Sequence, residues 1–183
     1  MKINAIGCIE TTSISRGFQV ADTMLKAADV ELLINRTICP GKYMIVIAGD
    51  TDAVKASVKA GSEVADATEV DQFIIPNVHP QIFPAITGNV QVTNLQALGI
   101  IETFSVASLI EAADAAVKAA DVELIQVHLA MAIGGKAYFT LTGDVAAVEA
   151  AIDAAVAEVK KKGLLVGKVV IPQPDPAILQ DRI

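Results

Sequence analysis

Short apolar runs and stretches with helical spacing follow one another along the chain in an order that occurs twice. Each half begins with an apolar strand, followed by an amphipathic helix, two further strands, a second helix and a fourth strand. The predicted strands cover 4–10, 30–37, 42–48 and 70–75 in the first half and 96–102, 122–130, 136–142 and 166–171 in the second. The order β-α-β-β-α-β, repeated, predicts an α/β protein of the α+β type. We expect two ferredoxin-like domains, each an antiparallel four-stranded sheet with helices on one face.

Two of the helices show an apolar stripe in the sequence. The first half places Phe18, Ala21, Met24, Leu25 and Ala28 at helical spacing, and the second half places Val148, Ile152, Val156 and Val159 on one stripe. Asp50 and Asp144 stand where N-caps are expected, since their side chains can accept from free N–H groups of the first turn. The pattern predicts a core between sheet and helices in each half.

The two halves are copies of one another. Residues 5–32 and 97–124 align at a constant offset of 92, with 15 of 28 positions identical. The segment Lys26–Leu32 returns unchanged as Lys118–Leu124. Such self-similarity indicates a duplicated domain. We predict a first domain over 1–92 and a second over 93–183, with a linker over 84–96.

Composition and charge exclude several classes of function. The 183 residues carry a formal net charge of −7, and Lys160–Lys162 at a helix end is their one basic cluster. Nucleic-acid binding needs a concentrated positive face, so no nucleic-acid partner is expected. No apolar run approaches the roughly 18 residues of a membrane helix, and the first residues do not resemble a signal peptide. We therefore expect a soluble cytoplasmic protein with no membrane partner.

The two cysteines occupy different settings. Cys8 lies in an apolar strand, and its counterpart in the second copy is Ile100, so a packing role is predicted. Cys39 comes directly before Pro40 and Gly41, which fix φ and supply left-handed freedom in a tight turn. A cysteine there tends to project, although free cysteine is commonly a small buried hydrophobe. The residues alone leave both readings of Cys39 open.

Several segments together resemble a known family. They are the opening Ala5-Ile6-Gly7-Cys8-Ile9-Glu10, the Lys26–Leu32 segment, the Gly49-Asp50 helix entry and the Ile75-Pro76 strand end, each with its repeat. This set resembles the bacterial microcompartment shell domain, and two such domains in one chain resemble the tandem-domain shell proteins that form pseudo-sixfold trimers. The turn Thr37-Ile38-Cys39-Pro40-Gly41-Lys42 further resembles that of the iron–sulfur T-type subunits of propanediol-utilisation microcompartments.

The resemblance implies that the loop after the second strand of each copy lines a central pore. The pore-loop residues would be Ile38, Cys39, Pro40 and Gly41 in the first copy, and Ile133, Gly134 and Gly135 in the second. An iron–sulfur cluster needs about four cysteine thiolates, so a single chain cannot hold one. A threefold axis brings three copies of Cys39 together. The resemblance thus implies Cys39 as the metal and cofactor ligand of one [4Fe–4S] cluster per trimer, with water or another ligand on the fourth iron.

The same family implies a lysine at the tile edge, where neighbouring tiles meet. Lys26 and Lys118 occupy this place, although each could be an ordinary cation at a helix end. Related domains often carry Arg-Pro-His after the last strand, whereas this chain reads Asn77-Val78-His79 and Gln173-Pro174-Asp175. The arginine contact is therefore expected to be missing or replaced.

Three functions compete. The leading interpretation is a structural shell protein, not an enzyme, whose homotrimer holds a cluster that moves electrons across a microcompartment shell in the cytoplasm. Its partners would be other shell proteins, with a redox enzyme in the lumen as a further candidate. The alternative is a metabolite-conducting pore without a cluster. A third, a thiol enzyme with Cys39 as nucleophile, lacks a base placed near Cys39 in the sequence.

Overall fold

The structure is a computed structural model that describes residues 3–88, 90–92, 94–131 and 133–179. The described residues divide into two compact units. One is drawn from Met1–Val78 and Ala130–Gly135, and the other from His79–Leu129 and Lys136–Ile183. The loop of the second copy therefore belongs to the first unit. No helix in the described part of the chain is long and apolar enough to span a membrane.

Both units contain the predicted antiparallel four-stranded sheet. In the first unit the elements are β1 (Ala5–Thr11), α1 (Ile14–Ala27), β2 (Val30–Ile38), β3 (Lys42–Gly49), α2 (Thr51–Ala65) and β4 (Glu69–Pro76). In the second they are α3 (Ile82–Thr87), β5 (Ala97–Thr103), α4 (Val106–Ala119), β6 (Glu123–His128), β7 (Ala137–Gly143), α5 (Val145–Lys160) and β8 (Leu165–Pro172). The strand orders, β2-β3-β1-β4 and β6-β7-β5-β8, are the same. The ferredoxin-like prediction is confirmed.

The core of each unit lies where helices meet the sheet closely. A Cβ on Gly7 of β1 would stand 2.5 Å from Val58 and 2.8 Å from Val54 of α2, so only glycine allows this contact. Gly99 of β5 has the same position, because a Cβ there would stand 2.9 Å from Val148 of α5. The glycine repeated in the sequence therefore marks a close approach of helix and sheet in both copies.

The predicted buried face of α1 is partly wrong. Phe18 and Leu25 are exposed, whereas Gly17, Val20, Ala21 and Met24 are buried. Gly17 sets this rotation of the helix, because its bare backbone lies against the Tyr43 ring, 2.4 Å from where a Cβ would be. The stripe predicted for α5, Val148, Ile152, Val156 and Val159, is confirmed as buried.

The helix caps follow the prediction, but the linker does not. Asp50 accepts a hydrogen bond from Asp52 N, and Asp144 accepts one from Ala147 N. The predicted linker, 84–96, instead begins within α3, in which Ile82 and Ala85 are buried. A helix of six residues is too short to show periodicity in the sequence. The domain boundary at 92/93 stays a prediction.

Candidate cofactor site

The Cys39 turn is a tight connection between β2 and β3. Ile38 ends β2 as a buried residue, and Gly41 N donates to Ile38 O at 3.1 Å to close the turn. Gly41 has φ +85°, the left-handed conformation that the Pro-Gly sequence predicted. The Cys39–Pro40 peptide is cis. Cys39 is half-buried, whereas Pro40 and Gly41 are exposed, so the thiol lies at the surface end of the hairpin.

The loop of the second copy packs against this turn within the first unit. Cys39 N donates to Ala130 O at 3.0 Å. Gly135 lies so close to the turn that a Cβ on it would be 2.8 Å from Pro40 Cδ and 3.2 Å from Cys39 O. The structure thus brings the two loops predicted to line a pore together. Ala132 of this loop lies outside the described residues.

The glycines of the second loop have distinct roles. Gly134 and Gly135 both adopt positive φ, +66° and +85°, and Ala130 has φ +50°. Gly134 is exposed with open space beside its Cα, whereas Gly135 is buried against Pro40. Ile133 is half-buried. Gly135 therefore fits the first loop, and Gly134 only turns the chain.

An ion pair stands at the base of each loop. Lys42, the first residue of β3, binds the carboxylate of Glu10, whose side chain is fully buried near the end of β1. Lys136 binds Glu102 in the same way, with Nζ 2.5 Å from Oε1, but this pair is partly exposed. The second carboxylate oxygen of Glu10 has no hydrogen-bond partner among the described residues. The charge of each lysine is thus neutralised beside the loop.

Sequence reasoning had not paired these residues. The structure joins Glu10 and Glu102 to the lysines that follow the loop glycines, Lys42 and Lys136. The signal was available, because Gly41-Lys42 recurs as Gly135-Lys136 just as Glu10 recurs as Glu102. An acidic residue and a basic residue that recur together in both copies indicate an ion pair.

An aromatic contact supports the start of β3. Tyr43 is buried, and its ring centroid lies 5.0 Å from that of Phe18 on α1. Burial raises the pKa of Tyr43 above its ordinary value, because the phenolate would lose its hydration. In the second copy His128 stacks on Tyr138, with centroids 5.1 Å apart, and burial raises the pKa of Tyr138 as well.

The described residues of one chain do not form a metal site by themselves. Among the described residues, no three His, Cys, Asp or Glu side chains come together in a geometry that could bind a metal ion. Cys8 is fully buried within β1, as predicted, and Cys39 is the thiol at the loop. A half-buried thiol on a well-supported turn fits a ligand that is shared between chains.

The two lysines predicted to lie at the tile edge, Lys26 and Lys118, have different surroundings. Lys26 Nζ lies 2.7 Å from Asp22 Oδ2 at the end of α1, and both side chains are well exposed. Lys118 Nζ lies 2.5 Å from Asp114 Oδ2, and Asp114 is buried. Asp114 Oδ1 also accepts from His79 N at 2.8 Å. Only the first copy therefore presents its lysine without a buried partner.

Comparison with known proteins identifies the family to which this chain is similar. A family model described as the BMC domain matches the chain twice, at residues 5–78 and 97–174. The bacterial microcompartment shell protein PduT of Citrobacter freundii is 45% identical over 179 residues, which is 98% of this chain and 97% of PduT. The shell protein EutM of Escherichia coli K12 is 48% identical over 80 residues, 44% of this chain and 80% of EutM.

A solved structure agrees over the whole length. The crystal structure of a microcompartment protein from Desulfitobacterium hafniense DCB has a TM-score of 0.89 and 50% sequence identity, with 97% of this chain and 98% of that chain covered. With 97% of this chain covered, both copies of the repeat fall within this match. The chain belongs to the bacterial microcompartment shell proteins, with two BMC domains in tandem.

Proposed function

We propose that this shell protein forms a homotrimer in which three Cys39 side chains hold one [4Fe–4S] cluster for electron transfer across the shell. As a structural shell protein it assembles with other shell proteins. The observation that carries the proposal is the Cys39 turn itself. It presents one accessible thiol per chain and is supported by Ala130 and Gly135.

Stoichiometry supports the threefold site. A cyclic trimer places the same residue three times around its axis, and three thiolates can bind three irons of a cubane cluster. The second loop carries no cysteine, so a ring of three chains offers three thiols and not six. The fourth iron would take water or another ligand.

The surrounding residues would position the thiol and limit the charge at the site. The hydrogen bond from Cys39 N to Ala130 O and the close contact of Gly135 with Pro40 fix the backbone at the thiol. Lys42 is paired with Glu10, so the loop base adds little net charge to an anionic cluster. When bound, such a cluster supplies one-electron transfer, at a potential set by hydrogen bonds and exposure. A redox enzyme in the lumen would be its partner.

The test is a spectrum of protein purified without oxygen and reconstituted with iron and sulfide. We expect broad visible absorbance, an EPR signal of a reduced cubane cluster, and about 1.3 iron atoms per chain, four irons being shared by three chains. Light scattering of the same sample should give three times the chain mass. Iron at background level in a sample that is trimeric would exclude the cluster.

A metabolite pore without a cluster is the second candidate. It is favoured by the open space at Gly41 and Gly134, where a Cβ would meet nothing within 4 Å. In that case the trimer would stay colourless after anaerobic reconstitution, and Cys39 would react freely with a thiol reagent. The same spectrum thus separates the two candidates.

A further inference from the structure

The loop of the second copy, Ala130–Gly135, carries backbone N–H groups that have no acceptor. Ile133, Gly134 and Gly135 donate no hydrogen bond within the described ranges of the chain. Gly134 is exposed, so water can accept from its N–H, whereas Gly135 is buried. Buried N–H groups in folded proteins are nearly always paired, so an unpaired one indicates an acceptor that is supplied from elsewhere.

The Cys39 turn differs, because its own N–H groups are all in use. Cys39 N donates to Ala130 O at 3.0 Å, and Gly41 N donates to Ile38 O at 3.1 Å. Pro40 between them has no N–H. The turn therefore supplies a thiol and no backbone donor. An anionic group held by Cys39 takes its hydrogen bonds from another part of the protein or from water.

The backbone of the second-copy loop has the conformation of an anion site. Gly134 and Gly135 have φ of +66° and +85°. Successive N–H groups in such turns form concavities that bind anions, and these are found at phosphate and iron–sulfur sites. The two copies are offset by 92 before the loops, but Lys42 and Lys136, which follow them, are 94 apart (136 − 42). The second-copy loop is thus two residues longer, which gives it room for this bend.

This loop lies directly beside the turn that bears the thiol, within the same compact unit. A Cβ on Gly135 would be 3.2 Å from Cys39 O and 2.8 Å from Pro40 Cδ. The loop sequence, Ala-Met-Ala-Ile-Gly-Gly, contains no acidic side chain that would repel an anion. The unpaired N–H groups and the thiol are therefore neighbours.

We propose that the N–H groups of Ile133, Gly134 and Gly135 donate to sulfur atoms of the cluster that Cys39 holds. This inference rests on the proposed cluster and gives the second copy a role toward it. The first copy supplies the thiolate and the second supplies the hydrogen bonds, so the second-copy loop needs no cysteine. Hydrogen bonds to the sulfurs stabilise the reduced cluster, which carries one more negative charge, and therefore raise its reduction potential.

Deuterium exchange tests the contact without any substitution. The parent protein is reconstituted with iron and sulfide without oxygen, once in H2O and once in D2O, and resonance Raman spectra are recorded. We expect the Fe–S stretching bands to shift in D2O, because the N–H groups that bind the sulfurs become N–D groups. Bands that coincide in the two solvents would overturn the inference.

Ile133→Pro removes one of the three donors in each chain. Ile133 does not have a positive φ, so the fixed φ of proline has the right sign there. Ile133→Val is the matched control, because it changes the side chain and keeps the N–H. Both variants should bind as much iron as the parent. If Ile133→Pro fails to fold, the comparison of solvents on the parent still decides.

The midpoint potential is the second readout. Reduction of the cluster in Ile133→Pro should be about tenfold less favourable than in the parent, which lowers the midpoint potential by about 59 mV for one electron. The deuterium shift should be smaller in Ile133→Pro, and Ile133→Val should match the parent in both measurements. Equal potentials in Ile133→Pro and Ile133→Val would overturn the contact.

Inorganic phosphate separates the cluster from a free anion in the pore as the group that the loop binds. The amide NMR signals of Gly134 and Gly135 are followed in protein without iron as millimolar phosphate is added. We expect no saturable shift. A saturable shift with phosphate, together with no deuterium effect on the cluster, would assign the loop to free anions and overturn the inference.

The two proposals fail in different ways. A trimer that binds no iron refutes the proposed cluster, and the inference falls with it. A trimer that holds iron but shows no deuterium effect refutes only the hydrogen bonds from the second-copy loop and leaves Cys39 as the ligand.

Discussion

The backbone N–H of Cys39 donates to the carbonyl of Ala130 at 3.0 Å, so a loop of the second copy holds the cysteine of the first. Gly135 completes this contact at the edge of Pro40. A methyl group on Gly135 would meet both a left-handed φ and a clash, so Gly135→Ala should destabilise the protein by roughly 2–3 kcal/mol. Iron content should fall as well.

Gly134→Ala is its matched control. Gly134 also has positive φ, but a Cβ there meets nothing within 4 Å. Only the backbone penalty of about 1–2 kcal/mol applies, and iron binding should stay normal. Urea unfolding and iron analysis of both variants check this, and equal effects would show that the contact with Pro40 is unimportant.

The two loop ion pairs should differ in their effect on stability. Lys42→Met leaves the buried Glu10 carboxylate without its cation and should cost about 3–5 kcal/mol. Lys136→Met breaks a partly exposed pair and should cost about 1 kcal/mol or less. The double variant Glu10→Gln with Lys42→Met should recover much of the loss. Stability is measured by thermal and urea unfolding. Equal losses of stability in Lys42→Met and Lys136→Met would contradict this prediction.

Cys39→Ser should abolish the cluster while leaving the fold and the trimer intact. One substitution removes all three thiolates, and a serine hydroxyl is a poor ligand for iron. The Cys8→Ser variant should keep its iron. Its free energy of unfolding should fall by about 1–3 kcal/mol, because the substitution places a hydroxyl at a fully buried position. Iron per chain and melting temperature are measured for both. Iron retained by Cys39→Ser would mean that the ligand is elsewhere.

Lys26→Ala should weaken the assembly of trimers into flat sheets without affecting the trimer. Its ion pair with Asp22 is exposed, so its loss changes stability little. Lys118→Ala also removes the cation beside buried Asp114 and should lower the melting temperature as well. Sheet formation by both variants is compared with that of the parent by electron microscopy. If the variants form sheets as extensive as those of the parent, these lysines are ordinary surface charges.

Alkaline pH should lower the stability of the protein through Tyr43, which is buried at the start of β3. Below about pH 10 the Tyr43 phenol is neutral in both states and its burial contributes fully. Above that value the unfolded chain ionises first, because the folded pKa is raised, so stability falls as the pH rises toward the folded pKa. Tyr43→Phe should show a smaller loss of stability between about pH 9.5 and 11 by urea unfolding. An unchanged slope would place the alkaline loss in other groups.

The sequence predicted the strands, helices and caps of both copies and missed contacts between residues that are distant in the chain, the Glu10–Lys42 ion pair among them. The sheet topology, the Asp50 cap and the burial of Cys8 follow from local patterns that occur in both copies. The rotation of α1 was missed because it depends on Tyr43 lying against Gly17, a contact between distant residues. Likewise, Gly135 is read as a turn residue until its approach to Pro40 is seen.

The hydrogen bond between Cys39 and Ala130 has a consequence for how a cell makes this tile. If the two domains were separate polypeptides, they could assemble into rings in any combination. The number and spacing of the Cys39 thiols around the axis would then vary from ring to ring. Covalent fusion supplies each cysteine turn with its partner loop at an effective concentration no free subunit reaches. In the proposed trimer, the gene would thereby fix the number of Cys39 thiols at the axis at three.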